Sequence, residues 1–498
     1  MLSEKIICCK SIDVLYNQMP ITKQNVFSNL IWRFLERTGA QVVQFVVAIV
    51  LARLLTPEDY GTIALITVFI TIMNVFVDSG LGSALVQKKD ADIIDFSTVF
   101  YTNIVFCLAL YALMFVASPY IARFYKNAEL TAVIRVLSIT IVISGVKNIQ
   151  QSYVSKTLQF RKFFFATLTG TVTAAVVGIW LAYHGFGVWA LVSQQLINLT
   201  IDTILLWITV RWYPSFVFSF ERLKALFSYG WKLLVSALLD TTYNNLRQLI
   251  IGKKYSSQDL AFYNKGNLFP QAIVGNINNA IDSVLLPVMS ESQDDKERVK
   301  QMTRRAIKTS TYCIAPLMMG LAACAPVIVH LLLTDKWLSC VPYLRIFCIT
   351  YMFFPIHTAN LNAIKAMGRS DLFLKLEIAK KIMGLTVLFS TMWFGVMVMA
   401  YSLLLTSFLG QIINSFPNKK LLNYGYLEQL KDIFPGIALA VCMGVLISFI
   451  NIFSFAALLK LLIQILCGIA LYTLGSALFQ LESFNYLKSF VTEKFFYK

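Results

Sequence analysis

Only 14% of this 498-residue chain is charged, and only three of its residues are histidine. Against 57% hydrophobic residues, so little charge excludes a single soluble domain, which could not keep that much apolar surface out of water. His184, His330 and His357 are too scattered for a metal cluster, and no metal is assigned. The phosphate-cradling glycine loop, the HExxH zinc motif and the nucleophile elbow are all missing. A membrane glycosyltransferase or polymerase would need catalytic acids on a sizeable loop, and the outside linkers hold a handful of residues each. No catalytic residue is therefore assigned, and the chain reads as a non-enzyme. The nine cysteines lack metal spacing. Cys107, Cys313, Cys348, Cys442 and Cys467 fall inside apolar stretches as small buried hydrophobes. Cys8 and Cys9 lie in a tail, and only Cys340 is placed to face the outside. No cleavable signal peptide is visible, because the first apolar run is too long and lacks a cleavage pattern. Residues 1–18 look unlike the rest, which favours Met19 over Met1 as the start.

What the chain has in abundance is long apolar runs, with a mean hydropathy of +0.67. Crossing the hydrocarbon takes about 20 apolar residues per helix, whereas barrel strands need only about 10. Runs of helical length recur from Asn25 to Gln480, and fourteen can be counted. The expected fold is an all-α integral membrane protein with about fourteen transmembrane helices in a 6+6+2 arrangement. Two repeated six-helix lobes would surround a central cavity. The division runs as a tail at 1–24, an N-lobe at 25–211, a linker at 212–225, a C-lobe at 226–417, helices 13 and 14 at 418–480 and a tail at 481–498.

The net charge of +17 follows the same topology. Linkers after even-numbered spans carry most of the lysine and arginine, as in Lys296, Arg298, Lys300, Arg304 and Arg305. The linkers near His184, Gly395 and Phe453 carry none. By the positive-inside rule both termini are cytoplasmic, and the basic excess marks orientation rather than a nucleic-acid partner.

Two internal matches support the repeat. Thr56-Pro57-Glu58-Asp59 faces Ser256-Ser257-Gln258-Asp259 at a spacing of 200, and each reads as a hydroxyl N-cap followed by an acidic first turn. At a spacing of 210, Val133-Ile134-Arg135-Val136 faces Tyr343-Leu344-Arg345-Ile346, and Lys147 faces His357. Lys147 reads as an anchor at the cytoplasmic end of span four, and His357 as a satisfied core histidine. A membrane protein built from two repeats usually moves one half against the other around a central site.

Charges inside a bilayer normally face a bundle interior or cavity. In span one, Arg33, Glu36 and Arg37 share a helical face that Gln41 and Gln44 continue. Span seven repeats the feature with Asp240, Asn244 and Arg247. Span eight offers an amide-rich strip that includes Lys265 and Asn276. Cavity lining is the reading for these positions. Snorkelling of the span-one cations and an Asp240–Arg247 pair closing within one helix are the structural alternatives. The cations suit a phosphate-bearing substrate, since arginine gives paired donors to phosphate oxygens. Asp240 is the ion-coupling candidate, because a diphosphate arriving at Arg247 would compete for the same cation. No cofactor is called for, and any coupling would run on H⁺ or Na⁺.

Four segments carry a family resemblance: ARLLTPEDYG after span one, DSGLGSALVQKKD at 78–90, LLPVMSESQDD at 285–295 and DKW at 335–337. They resemble the Wzx-type polysaccharide exporters, in the branch that includes colanic acid and teichuronic acid exporters. That branch belongs to the multidrug/oligosaccharidyl-lipid/polysaccharide superfamily. The similarity covers about residues 24–480 and is not specific for the sugar. It implies a 6+6+2 fold in the bacterial cytoplasmic membrane. It also implies flipping of an undecaprenyl-diphosphate-linked oligosaccharide to the outer leaflet, with membrane lipids and other polysaccharide-assembly proteins as partners. The motif residues Gly61, Asp78, Gly80 and Gln87 would shape the fold and gate. A drug/cation antiporter of the same superfamily is the rival transporter, against which the cationic cavity residues speak. A membrane glycan polymerase or ligase is the rival from another class.

Overall fold

The structure is a computed structural model, and it describes residues 23–496 apart from 79, 80, 89, 158 and 211. Side chains are described from residue 39, except at 78, 83, 229, 490, 491 and 493–496. Every regular element among the described residues is helical. In a lipid environment this is what runs of apolar sequence must do, because a helix satisfies its own backbone hydrogen bonds.

The first helices are α1 (Lys23–Leu54), α2 (Pro57–Asp78), α3 (Leu81–Gln87), α4 (Ile93–Tyr125), α5 (Glu129–Leu137), α6 (Ile139–Thr157), α7 (Phe160–Tyr183), α8 (Val188–Val210) and α9 (Phe220–Lys254). They are followed by α10 (Ser257–Ser290), α11 (Lys296–Leu333), α12 (Val341–Met352), α13 (Phe354–Ala366), α14 (Ser370–Thr391) and α15 (Val396–Leu421). The last are α16 (Tyr426–Ser448), α17 (Ala457–Leu478) and α18 (Glu482–Phe496). Among the described residues, eleven helical segments are long and apolar enough to cross a membrane, α5–α6 and α12–α13 each counting as one. Helices α1, α9 and α14 occupy the places expected for spans one, seven and eleven, and the part of α1 whose side chains are described, Gly39–Leu54, is itself apolar. The chain divides into two compact units, Met1–Leu249 and Ile250–Lys498.

Both repeat signals correspond to real local structure. At the start of α2 the Thr56 hydroxyl and amide donate to Asp59 Oδ2 at 2.7 and 2.9 Å, and the Asp59 amide reaches back to Thr56 Oγ1. Ser256 and Asp259 make the same reciprocal cap on α10. Such a cap satisfies amides that the first turn would otherwise leave open. The 210-residue match marks a second shared device. Arg135 Nε donates to Ser118 Oγ at 3.0 Å, and Arg345 Nε donates to the Ala322 carbonyl at 3.2 Å. Each arginine thus ties the fourth span of its unit back to the third. In both units the fourth span is also interrupted, at Ser138 in one and at Phe353 in the other. At the second break Pro355 supplies no amide, so the helix ladder cannot run through it.

The chain leaving α8 is fastened to the first unit. Gln150 Nε2 donates to the Trp212 carbonyl at 2.9 Å. The Ser215 and Ser219 amides donate to Ser97 Oγ and Thr98 Oγ1 at 3.0 and 3.1 Å. Arg222 then reaches Asp92 Oδ1 at 2.5 Å, at the N-cap of α4. Burial, the largest single influence on the Asp92 carboxylate, works against its charge, and the Arg222 hydrogen bond is the strongest of the effects opposing it. With the Asp95 amide and the guanidinium charge, that hydrogen bond holds the Asp92 pKa below the ordinary carboxylate range. In the second unit an amide core joins α13, α15 and α16. Asn360 and Gln429 exchange hydrogen bonds at 2.8 and 3.0 Å, and Asn418 Nδ2 donates to Asn360 Oδ1 at 2.6 Å. All three are fully buried, and buried amides are stabilised by pairing in this way.

Candidate functional site

The polar residues singled out from the sequence fall on α1, α2, α3, α9 and α10. The side chains of Arg33, Arg37 and Asp78, and the whole of Gly80, lie outside the described residues. Gln41 and Gln44 are exposed on α1, Gln87 is exposed at the end of α3, and Gly61 is buried in α2. On α9 the structure brings Asp240 and Asn244 together: Asn244 Nδ2 donates to Asp240 Oδ2 at 3.1 Å, one helical turn apart. Both are exposed, and Arg247 is half-buried on the following turn. This stripe is open to whatever lies against it, and its acid is steadied by an amide on its own helix.

Lys265 has a different setting. It is 7% exposed, and its ammonium lies 5.4 Å from the ring centre of the fully buried Trp337. Gly266 beside it allows this packing: a Cβ there would sit 2.7 Å from Tyr343 Cβ and 2.9 Å from the Leu344 amide. Trp337 belongs to the DKW segment, whose 3-10 turn (Asp335–Cys340) also buries Cys340 rather than presenting it outside. Asn276 is exposed, and its amide donates to the Ala272 carbonyl at 2.9 Å.

Lys147 does not anchor a helix end. Its ammonium is 2.6 Å from Asp202 Oδ2, joining α6 to α8 inside the first unit, with side-chain exposures of 15% and 7%. Asp202 was missed by sequence reasoning, although a lone acid within an apolar span is itself a request for a cationic partner. At the corresponding place in the second unit, Asn414 Nδ2 lies 3.0 Å from His357 Nδ1, joining α13 to α15. His357 is therefore the satisfied core histidine expected of it. Both links connect the fourth and sixth spans of their unit. One is ionic and the other neutral.

With this geometry in view, the comparisons with known proteins can be read. The polysaccharide biosynthesis protein family matches residues 50–342. The succinoglycan biosynthesis transport protein ExoT of Rhizobium meliloti is 25% identical over 330 residues, 66% of this chain and 67% of that protein. The teichuronic acid biosynthesis protein TuaB of Bacillus subtilis is 25% identical over 356 residues, 71% of this chain and 74% of that one. Among solved structures, the lipid II flippase MurJ in an inward closed conformation superposes with a TM-score of 0.71. That match covers 90% of this chain and 98% of the other, at 14% identity, and it speaks for the fold alone.

Proposed function

Because the chain belongs to the polysaccharide biosynthesis protein family, we propose that it is a flippase for a lipid-linked oligosaccharide. On this reading an undecaprenyl-diphosphate-linked oligosaccharide moves from the cytoplasmic to the outer leaflet, feeding synthesis of a surface lipopolysaccharide, capsule or exopolysaccharide. The site would be the bacterial cytoplasmic membrane, with both termini inside, and the substrate would be handed on to other polysaccharide-assembly proteins.

The observation that carries the reading is the family match joined to a helical fold shared over nearly the whole length of a lipid II flippase. The names of the relatives, a succinoglycan transport protein and a teichuronic acid biosynthesis protein, point to the same class of cargo. The residues supply a physical route. Moving a diphosphate through a bilayer interior requires cations that replace its water, and arginine does this with paired donors. We assign that role to Arg247 with Arg33 and Arg37, and assign to Gln41, Gln44, Asn244, Lys265 and Asn276 the polar lining along which the glycan passes. Asp240 would hold Arg247 between substrates and take up H⁺ or Na⁺ when the diphosphate displaces it. The two repeats would rock about this cavity in alternating access, with α16 and α17 as the added pair.

Purified protein in liposomes carrying a fluorescent lipid-linked glycan tests the reading. The label should become accessible to an impermeant quencher from both leaflets. Liposomes that move a lipophilic drug cation and leave the glycan lipid in place would favour the antiporter instead.

A further inference from the structure

The Lys147–Asp202 pair has features that a simple structural tie does not need. It lies about three helical turns from the C-terminal end of α6 and about two from that of α8, inside both spans. Asp202 Oδ2 receives the lysine, while Asp202 Oδ1 is buried with no hydrogen-bond partner among the described residues. Asn198 stands one turn earlier on the same face of α8, and its Oδ1 lies 3.5 Å from the buried Thr171 hydroxyl of α7, which donates to the Thr167 carbonyl at 2.8 Å. Gly170 lets the α7 backbone lie directly on this face. A Cβ there would fall 2.9 Å from the Asn198 carbonyl, 3.2 Å from Asn198 Oδ1 and 3.2 Å from the Asp202 amide. A buried carboxylate and, one turn away, an amide oxygen beside a buried hydroxyl thus lie where α7 packs closely on α8, with a single negative charge among them. Oxygen donors of this kind suit a hard cation, and one negative charge suits a monovalent one.

We infer that this is a monovalent-cation site whose occupant is the chain's own Lys147 ammonium. The tethered cation neutralises Asp202 permanently, so this site holds its ion in every state and exchanges none. Any H⁺ or Na⁺ dependence of transport then enters elsewhere. The corresponding place in the second unit offers no exchangeable ion either, since the His357–Asn414 link carries no acid.

The test is independent of the flipping assay. Full-length wild type and Lys147→Ala would be purified in detergent, and thermal unfolding followed in choline chloride with NaCl or NH₄Cl substituted at constant ionic strength. Removing the ammonium should leave Asp202 open to a free cation. Lys147→Ala should then be stabilised saturably by Na⁺ or NH₄⁺, with a roughly tenfold rise in the folded-to-unfolded ratio at about ten times the dissociation constant. Wild type should show no such specific shift, and Lys147→Ala/Asp202→Asn should lose it. Should Lys147→Ala fail to accumulate, Lys147→Gln carries the same titration, because its shorter neutral side chain also withdraws the charge. Identical melting of the single variant in choline, Na⁺ and NH₄⁺ would overturn the inference, as would an equal Na⁺ shift in wild type.

Discussion

The two units solve one packing problem with different chemistry. In each, the fourth span is broken and the sixth span is fastened to it. The fastening is Lys147 to Asp202 at 2.6 Å in one unit and His357 to Asn414 at 3.0 Å in the other. The sequence separations are nearly equal, and the lysine and histidine match at a spacing of 210. The repeat has thus kept the position of the link and changed its charge. The difference matters because the two kinds of link fail differently. Removing one member of a buried ion pair strands a charge, which costs about 3–5 kcal/mol. Removing one member of a neutral pair strands only a hydrogen-bonding group, which costs about 1–3 kcal/mol.

The largest expected effect is therefore Lys147→Met. In choline-based buffer it should lower stability by about 3–5 kcal/mol, read by thermal or denaturant unfolding in detergent. The double variant Lys147→Met/Asp202→Asn should recover much of that loss. Equal losses in the single and double variants would mean that packing, not charge, sets the effect.

Asn414→Leu in the second unit comes next, with an expected loss of about 1–3 kcal/mol. A loss as large as that of Lys147→Met would erase the contrast between the units. Close helix approach gives a further comparison at about the same size. Gly266→Ala and Gly170→Ala both push a methyl group against backbone, at 2.9 Å from the Leu344 amide and 2.9 Å from the Asn198 carbonyl. Each should cost about 1–3 kcal/mol by overpacking, measured by the same unfolding assay. Gly275→Ala, where a Cβ meets nothing within 4 Å, serves as the control that should lose no stability and gain up to about 1 kcal/mol from helix propensity.

The smallest effect should come from the two matched caps. Thr56→Ala and Ser256→Ala should each cost about 1 kcal/mol, and should do so equally. Unequal losses would show that the 200-residue match is local resemblance without equivalent structural weight.

How much of this was readable in the sequence depended on distance along the chain. The caps were, because Thr56 and Asp59 sit three residues apart and their geometry is local. The helical class and long spans were, because hydropathy acts run by run. The tie made by Arg345 was visible only as a repeat match; nothing in the sequence says that its partner is the Ala322 carbonyl. The Lys147–Asp202 pair was misread because its members lie on different helices, and the register of one helix against another is written in no single period. Trp337 was noted only within a family motif, and its packing on Lys265 follows from the close approach at Gly266. The same limit applies to substrate-facing residues: one helix's stripe shows which side chains share a face, and not what the face meets.

The central claim is that a diphosphate-linked glycan crosses the membrane on arginine. Transbilayer movement of a fluorescent undecaprenyl-diphosphate-linked oligosaccharide, measured in liposomes containing wild type, Arg247→Lys or Arg247→Ala, tests it most directly. The account predicts movement with wild type, partial movement with Arg247→Lys, which keeps the charge without the paired donors, and none with Arg247→Ala. Wild-type rates from Arg247→Ala at equal protein incorporation would contradict it.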